Sequence, residues 1–457
     1  MNSVSVHTII LAAGQGTRMK SAQPKVLHAI GGKPMLGHVL DTAREAGAAA
    51  FHVVHGHGAE QVRQVFADAK DLSWALQEQQ LGTGHAVQQS APQVPDDALI
   101  LVLYGDVPLI SAQTLKALME AARETLAIVT VQLEQPKGYG RILRDAAQRV
   151  TGIVEEKDAS DAQKKITEVN TGLLAAPARL LKPWLGQIKN QNKNGEFYLT
   201  DVVGFAVRDG LQVQTVSAAD AEEVEGVNDR AQLARMERVY QRRQAERLMR
   251  EGVQIVDPAR FDLRGMLLAG KDVKLDVGVI IEGVCEFGDN VSIGPYSIVK
   301  NTKLGTGTVV ESHCVLDGVK GAADLHIGPY ARLRPGTELA DGARIGNFVE
   351  TKQTTVGKGS KINHLSYVGD ATLGVDVNVG AGTITCNYDG VNKHQTVIGD
   401  KVFIGSNSAL VAPVNIGAGA TIGAGSVISK DAAAGELTVA RAKQTTIAGW
   451  KRPAKKS

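Results

Sequence analysis

Beyond Gly252 the apolar residues recur at a spacing that fits neither a helix nor a flat strand. Ile398, Ile404, Leu410, Ile416, Ile422 and Ile428 follow one another at six-residue intervals. A helix repeats its apolar face about every 3.6 residues and a strand every two. A chain that turns a corner every six residues explains the interval: one small apolar side chain points inward per corner, and three hexads close one coil of a parallel β-helix. The same pattern appears earlier as Ile281, Phe287, Ile293, Val299, then Leu304, Val310, Leu316, then Ile327, Leu333, Leu339, Ile345. Val356, Ile362, Val368 and then Leu373, Val379 follow, with five-residue steps between registers. Two stretches read as interruptions, 317–326 and the TCNYDGVNKHQT run after Ile384. Insertions in a solenoid collect on one face and commonly carry binding.

Residues 1–228 have a different rhythm. Short apolar runs (Val6 to Ala13, Phe51 to Val54, Ala98 to Tyr104) alternate with amphipathic stretches such as Pro34 to Ala46. Alternation of this kind predicts an α/β domain, Rossmann-like, with a mostly parallel sheet covered on both faces. Ligands then sit beyond the carboxyl ends of the strands. Between the two patterns, 229–251 is proline-free and spaces Leu233, Met236, Val239 and Leu248 near helical period, which predicts one long linker helix. Its seven arginines read as a solvated face. The expected organisation is therefore 1–228, a helix over 229–251, and a hexad domain over 252–457.

Composition sharpens this picture in three places. Glycine is concentrated where corners are needed, with 30 of the 50 in the last 206 residues. A net charge of +2 gives no argument for nucleic acid or an anionic membrane. No apolar run approaches the roughly 20 residues of a spanning helix, and no signal-peptide layout opens the chain. Cys285, Cys314 and Cys386 lie far apart without metal-ligand spacing, as expected of reduced thiols in a cytoplasmic protein. His52, His55 and His57 sit close in sequence, but nothing comparable faces them, so a metal role is not expected.

Candidate chemistry begins where the first strand runs into GQGTRM, Gly14 to Met19. This is neither a P-loop nor the dinucleotide fingerprint. Two glycines let backbone amides turn toward an anion, and Arg18 and Lys25 add positive charge, although a plain structural turn fits the string equally well. A later apolar strand, LVLYGD, delivers Asp106 to its carboxyl end. There a carboxylate fits a magnesium site, which needs few protein oxygens, or alternatively a helix cap.

The hexads permit a second argument. Residues 18 apart in an unbroken register stack on adjacent rungs about 4.8 Å apart. Arg334 and Lys352 should then lie one above the other, an arrangement that favours an anion between them, unless both splay into solvent. Counting on through the five-residue step places Glu350 one rung from Tyr367, and His364 between Asn347 and Ala381. A histidine on that wall, near the NYDG stretch, suits general-base chemistry near neutrality.

Taken in order, LAAGQGTRM, PKVL, LGTGHA, YGDVPL, GYGRI, EEKDA, VNTG, EGVND, hexads and NYDG resemble one family along essentially the whole chain. It is the bifunctional N-acetylglucosamine-1-phosphate uridyltransferase and glucosamine-1-phosphate N-acetyltransferase. The resemblance implies a nucleotidyltransferase domain joined by a long helix to a left-handed parallel β-helix of hexapeptide repeats. Leu11, Ala12, Ala13 and Gly14 would hold the uridine nucleotide, with Gln77 on the uracil edge and Gly82 and Thr83 nearby. Arg18 and Lys25 would meet the phosphates, and Asp106 and Asn228 would bind Mg2+. Gly140, Glu155 and Asn170 would read the N-acetylglucosamine, with Tyr104 lining the site. Gln15 departs from the lysine often found there in the family, which removes one charge near the triphosphate.

At the other end the resemblance assigns His364 as base, with Arg334, Lys352, Tyr367, Asn378 and Glu350 around glucosamine 1-phosphate. Ala381, Asn387, Tyr388, Ser406, Ala424 and Arg441 would face acetyl-CoA. Cys386 reads as a bystander. The basic tail from Arg441 onward would reach CoA phosphates or stay solvated. A single coil wall offers half a cleft, and the resemblance implies homotrimers with sites between subunits. The resemblance further implies UTP, acetyl-CoA and glucosamine 1-phosphate as small-molecule substrates, and a product that feeds cell-wall and lipopolysaccharide synthesis. Two other readings stay open: nucleotidyl transfer alone with the β-helix as an oligomerising or regulatory appendage, and a hexad rod that only binds a partner.

Overall fold

The computed structural model describes residues 4–56, 58–453 and 455. His57 therefore lies outside the described residues. The chain divides into two compact units, Met1–Tyr240 and Gln241–Ser457. The division falls inside one helix, Arg230–Arg250.

In the first unit the alternating pattern becomes a sheet. Its strand order is Gln214–Ser217, Ala127–Gln132, Glu168–Pro177, Leu99–Tyr104, Val6–Ala12, Ala50–His55, Leu72–Leu76. Neighbours are parallel except Glu168–Pro177, which runs antiparallel to both strands beside it. Ile9 and Ile10 show why the runs are apolar throughout: both are fully buried, on opposite faces of the sheet, in separate cores. Helices Met35–Ala46 and Ala112–Ala121 cover one face, and Thr83–Ser90, Ala178–Leu185 and Asp201–Arg208 the other. Leu11 pairs with Tyr104, so the loops leaving these two strands open side by side at one edge of the sheet.

The stripe expected on the long helix is present. Met236 and Val239 pack with Ile30, Met35 and Val227 in the first unit. Ala245 and Leu248 join the core of the second, and the buried Gln241 amide bonds both the N–H (2.7 Å) and the carbonyl (3.0 Å) of Leu263.

The second unit is a parallel β-helix. One wall climbs through Ile255, Leu275, Ile293, Val310, Ile327, Ile345, Ile362, Val379, Ile404 and Ile422, each paired in register with the next. Nearly all are fully buried, as the hexads predict. Inward hydroxyls bridge the coils: Thr354 Oγ1 donates to the Val368 carbonyl (2.9 Å) and Ser360 Oγ to that of Gly374 (2.7 Å). Spacing is tight enough that a Cβ on Gly346 would stand 1.9 Å from the Asn363 carbonyl oxygen on the next coil.

The two expected interruptions differ. Residues 317–326 are not an insertion: Lys320–Gly321 pairs with Lys303–Leu304 on one side and Glu338–Leu339 on the other, and Val319 and Leu325 are buried. Gly321 takes an inward position normally held by an aliphatic residue, which hides the hexad in the sequence. The stretch after Ile384 does leave the coil, since Tyr367 pairs with Ile384 but Ala371 with Thr396.

One corner carries an exposed stack of rings. Tyr296, His313, Tyr330 and Phe348 have left-handed φ of 54° to 58°, with neighbouring ring centroids 5.4, 4.8 and 5.4 Å apart. The left-handed conformation costs about 1–2 kcal/mol for such residues, and stacking returns a comparable amount per pair.

Buried histidines make the first unit sensitive to acid. His52 Nε2 meets His7 Nδ1 (3.0 Å) and its Nδ1 meets Ser73 Oγ (2.6 Å), so both ring nitrogens are engaged. Burial holds His7, His28, His38, His52 and His55 below the usual histidine range. The unfolded chain therefore takes up protons that the folded chain resists. This stability is fully present above the unfolded value of about 6.5 and is lost as pH falls below it. Urea midpoints measured at pH 7.5 and 5.5 should fall on acidification, and His52→Gln should shrink that fall.

Candidate active sites

At the strand edge of the first unit, Gly14 to Arg18 curls over a cavity of about 560 Å³ that Lys25, Gln80 and Asn228 also line. A second cavity of about 300 Å³ adjoins it, walled by Leu11–Gly14, Gln77, Gly82, Thr83, Tyr104 and Asp106. Gly16 is needed on two counts. Its φ is 61°, and a Cβ there would press to 2.9 Å from Lys25 Cβ. Gln80 Nε2 donates to the Ala13 carbonyl (2.6 Å), holding the base of the loop. Gln77 is buried and its amide nitrogen is committed to the Gly82 carbonyl and His85 Nδ1 (3.1 Å each), which leaves its amide oxygen as the group free for a ligand.

Lys25, Asp106 and Asn228 converge. The Lys25 ammonium pairs with Asp106 Oδ2 and reaches Asn228 Oδ1 at 3.3 Å. Asn228 is delivered by the segment before the long helix, where its N–H donates to Gln232 Oε1 (2.7 Å) and Val227 N–H donates to the Asp106 carbonyl (2.9 Å). A carboxylate and an amide oxygen around one cation form a hard donor set of the kind a divalent metal takes. The ammonium marks where positive charge is wanted.

Gly140, Glu155, Asn170 and Tyr104 also come together. The Asn170 N–H donates to the Gly140 carbonyl (2.9 Å), and a Cβ on Gly140 would lie 3.4 Å from both Glu155 oxygens. Burial raises the Glu155 carboxyl above the usual range, opposed by a hydrogen bond from Thr200 Oγ1 (2.9 Å). Burial likewise raises the Tyr104 phenol, with Asp106 and Glu155 adding to it. Gly172 lies flat against the Tyr104 ring, where a Cβ would approach to 2.7 Å.

On the β-helix the counted registers hold. Arg332 pairs with Glu350 and Glu350 with Tyr367, and Asn347 pairs with His364. His364 is exposed, and its Nδ1 meets Asn347 Oδ1 at 2.9 Å. An amide oxygen only accepts, so this contact puts a proton on Nδ1, the tautomer whose neutral form has its lone pair on Nε2. Arg334 stands one rung from Lys352, since its N–H donates to the Thr351 carbonyl (2.9 Å). The two cations nevertheless take different partners. Arg334 Nη1 pairs with Glu350 Oε1 (3.0 Å), whereas the Lys352 ammonium lies beside that of Lys393 and holds the latter below the usual lysine range. Two ammonium groups brought together in this way invite an anion.

The 387–394 excursion is organised by Asp389. Its Oδ1 accepts the N–H of Val391 (2.8 Å) and Asn392 (2.7 Å), and Oδ2 meets His394 Nε2 (2.7 Å). These donors hold its carboxyl far below the usual range. Asn387 is tied to Asp370, and Tyr388 hydroxyl donates to the Gly390 carbonyl (2.5 Å). Ala381, Ser406 and Ala424 stand on successive rungs, joined by bonds from Asn407 N–H to the Ala381 carbonyl and Gly425 N–H to that of Ser406. Arg441 Nη1 donates to the Ala424 carbonyl (2.6 Å). Asn378 pairs with Lys361 below and Phe403 above.

Sequence reading missed Lys393, Thr200, Gln80 and Asp370. Lys393 lies inside the flagged insertion, which was the available signal. The others meet their partners only through chain closure. Cys285 and Cys314 are buried, the Cys314 thiol pushed up to about 11, and Cys386 is half-buried. His55 meets Arg63 (2.8 Å) rather than His52. Among the described residues no helix is long and apolar enough to cross a membrane.

Comparisons with known proteins agree along the chain. Residues 8–168 match the MobA-like NTP transferase domain family, and residues 395–430 match six repeats of the bacterial transferase hexapeptide family. The Bifunctional protein GlmU of Alkalilimnicola ehrlichii is 59% identical over 97% of this chain and 96% of that protein. The same protein from Stenotrophomonas maltophilia strain K279a is 58% identical over 99% of each chain. That of Xylella fastidiosa strain M23 is 55% identical over 100% of this chain and 99% of its own length.

The Asp389 arrangement is directly testable. Asp389→Asn weakens three bonds in one short loop. Amide hydrogen exchange at Val391 and Asn392 should accelerate about tenfold, with exchange in the Ile404–Ile422 wall unchanged.

Proposed function

The chain belongs to the bifunctional GlmU family, and from that we propose that it makes UDP-N-acetylglucosamine in two steps at two sites. The β-helix transfers acetyl from acetyl-CoA to the amine of glucosamine 1-phosphate. The first unit then transfers uridylyl from UTP to N-acetylglucosamine 1-phosphate and releases pyrophosphate. Two observations carry the two-site reading: the His364–Asn347 pair on one wall of the coil and the Lys352–Lys393 pair on another. An appendage or a binding rod needs none of these groups, so neither alternative is favoured.

In acetyl transfer, Lys352 and Lys393 hold the sugar phosphate, with Arg334 steadied by Glu350, and Tyr367 and Asn378 complete the sugar's surroundings. The amine attacks the thioester carbonyl, His364 Nε2 takes the proton that leaves nitrogen, and as the C–S bond breaks that proton passes to sulfur so that CoA departs as the thiol. Asn347 fixes the tautomer that makes this possible. Ala381, Asn387, Tyr388, Ser406, Ala424 and Arg441 line the acetyl-CoA side.

In uridylyl transfer, a phosphate oxygen of the sugar attacks the α-phosphorus in line. The nucleophile is already anionic, so no general base is required. The Leu11–Gly14 strand end, Gln77, Gly82 and Thr83 seat the nucleoside, and Arg18 and Lys25 neutralise the phosphates. Gly140, Glu155 and Asn170 read the acetylated sugar, and Tyr104 closes the wall. The hard oxygen set of Asp106 and Asn228 suits Mg2+, which when bound would offset charge on the phosphates.

The exposed side chains of Tyr330, Phe348 and Leu365 run beside Asn347 and His364. They support assembly as a homotrimer in which a neighbour covers this wall. UTP and acetyl-CoA as substrates support a cytoplasmic enzyme.

Separate assays of pyrophosphate and of free CoA test the reading on one polypeptide. Asp106→Ala should abolish pyrophosphate formation and leave CoA release intact. His364→Ala should lower CoA release at least about 100-fold and spare pyrophosphate formation. Loss of both activities in either folded variant would refute independent sites.

A further inference from the structure

We propose that Lys25 occupies the metal position of the nucleotide site when no nucleotide is bound, and swings to the phosphates when a metal–nucleotide complex enters. The inference rests on the reading of Asp106 and Asn228 as metal ligands. It goes further, because it makes one lysine both a competitor of the metal and a partner of the triphosphate.

Three observations carry it. The ammonium of Lys25 contacts both proposed ligands at once, Asp106 Oδ2 and Asn228 Oδ1. The side chains of Lys25 and Asp106 are only 14% and 17% exposed, so water screens the pair weakly. Among the described residues no other cation pairs with Asp106, which makes Lys25 the sole charge offsetting it. A second cation entering that small space would be repelled unless the ammonium left.

The alternative position is built into the backbone. Lys25 opens the short turn Lys25–Leu27, and its Cβ lies against Gly16 at the heart of the Gly14–Arg18 loop. The root of the side chain is thus fixed at the anion-binding loop while its tip lies at Asp106. Both the 560 Å³ cavity under that loop and the one containing Asp106 are lined by Lys25. A four-carbon stem pivoting on a fixed root can present its charge to either. Phosphates arriving under the loop draw the ammonium away from Asp106 and leave the carboxylate and the Asn228 oxygen for a divalent ion. Metal and nucleotide then bind with positive coupling, and by linkage each raises the affinity of the other equally.

The test measures Mn2+ binding rather than turnover. Mn2+ alone is titrated into the full-length chain without nucleotide, and free Mn2+ is followed by electron paramagnetic resonance. Lys25→Gln and Lys25→Met should each bind Mn2+ at least about tenfold tighter than the wild type, equivalent to 1.4 kcal/mol. UTP should raise wild-type Mn2+ affinity more than that of either variant. The exchange is overturned if both variants bind Mn2+ no tighter than the wild type while Asp106→Asn still weakens binding. If Lys25→Gln/Asp106→Asn retains the tight binding of Lys25→Gln, the metal assignment itself falls and the exchange with it.

Discussion

One column of aliphatic side chains sets the height of every residue in the second unit. Ile327, Ile345, Ile362, Val379, Ile404 and Ile422 stand in register, and all are nearly or fully buried. Because the column cannot slip without exposing itself, residues 17 or 18 apart are held level across neighbouring coils. His364 meets Asn347 by that means, and Glu350 stands level with Arg332, from where it reaches Arg334 two residues further on. A deletion of one residue anywhere between them would turn one partner to the opposite face. The Asn347–His364 register of this candidate site is thus a by-product of core packing.

The nucleotide end is built on the opposite logic. Its sheet brings two loops together through the Leu11–Tyr104 pairing, but electrostatics organises what the loops carry. Asp106 is paired with an ammonium, Glu155 is kept above the usual carboxyl range by burial, and the two acids together push the Tyr104 phenol upward. The two acids lie near the Tyr104 wall, while Arg18 lines the cavity under the loop and Lys25 lines both cavities.

What could be read from the residues alone follows from periodicity. A six-residue spacing is unambiguous, so the β-helix, the Asn347–His364 register and the Glu350–Tyr367 register were all accessible by counting. Counting failed at 317–326, because Gly321 occupies an inward corner without an aliphatic side chain to announce it. It also could not foresee that Arg334 would turn to Glu350 and leave Lys352 beside Lys393, since that choice depends on a loop folding back over the wall. At the nucleotide end Asp106 was visible as a carboxylate at a strand terminus. Asn228 and Glu155 came only through family resemblance. Nothing local distinguishes them, and their partners Lys25 and Thr200 lie 203 and 45 residues away.

The clearance at Gly346 bears on how such a protein can change. With the next coil's carbonyl oxygen 1.9 Å from where a methyl group would begin, position 346 accepts no side chain without parting the two coils. New chemistry can be introduced at outward positions of a wall, as at Asn347 and His364, where the chain leaves the spiral, as it does at 387–394, or by inserting an entire turn. Descendants of this scaffold should accordingly differ in the loops hung from its edges and in the number of storeys, while the cross-section stays constant.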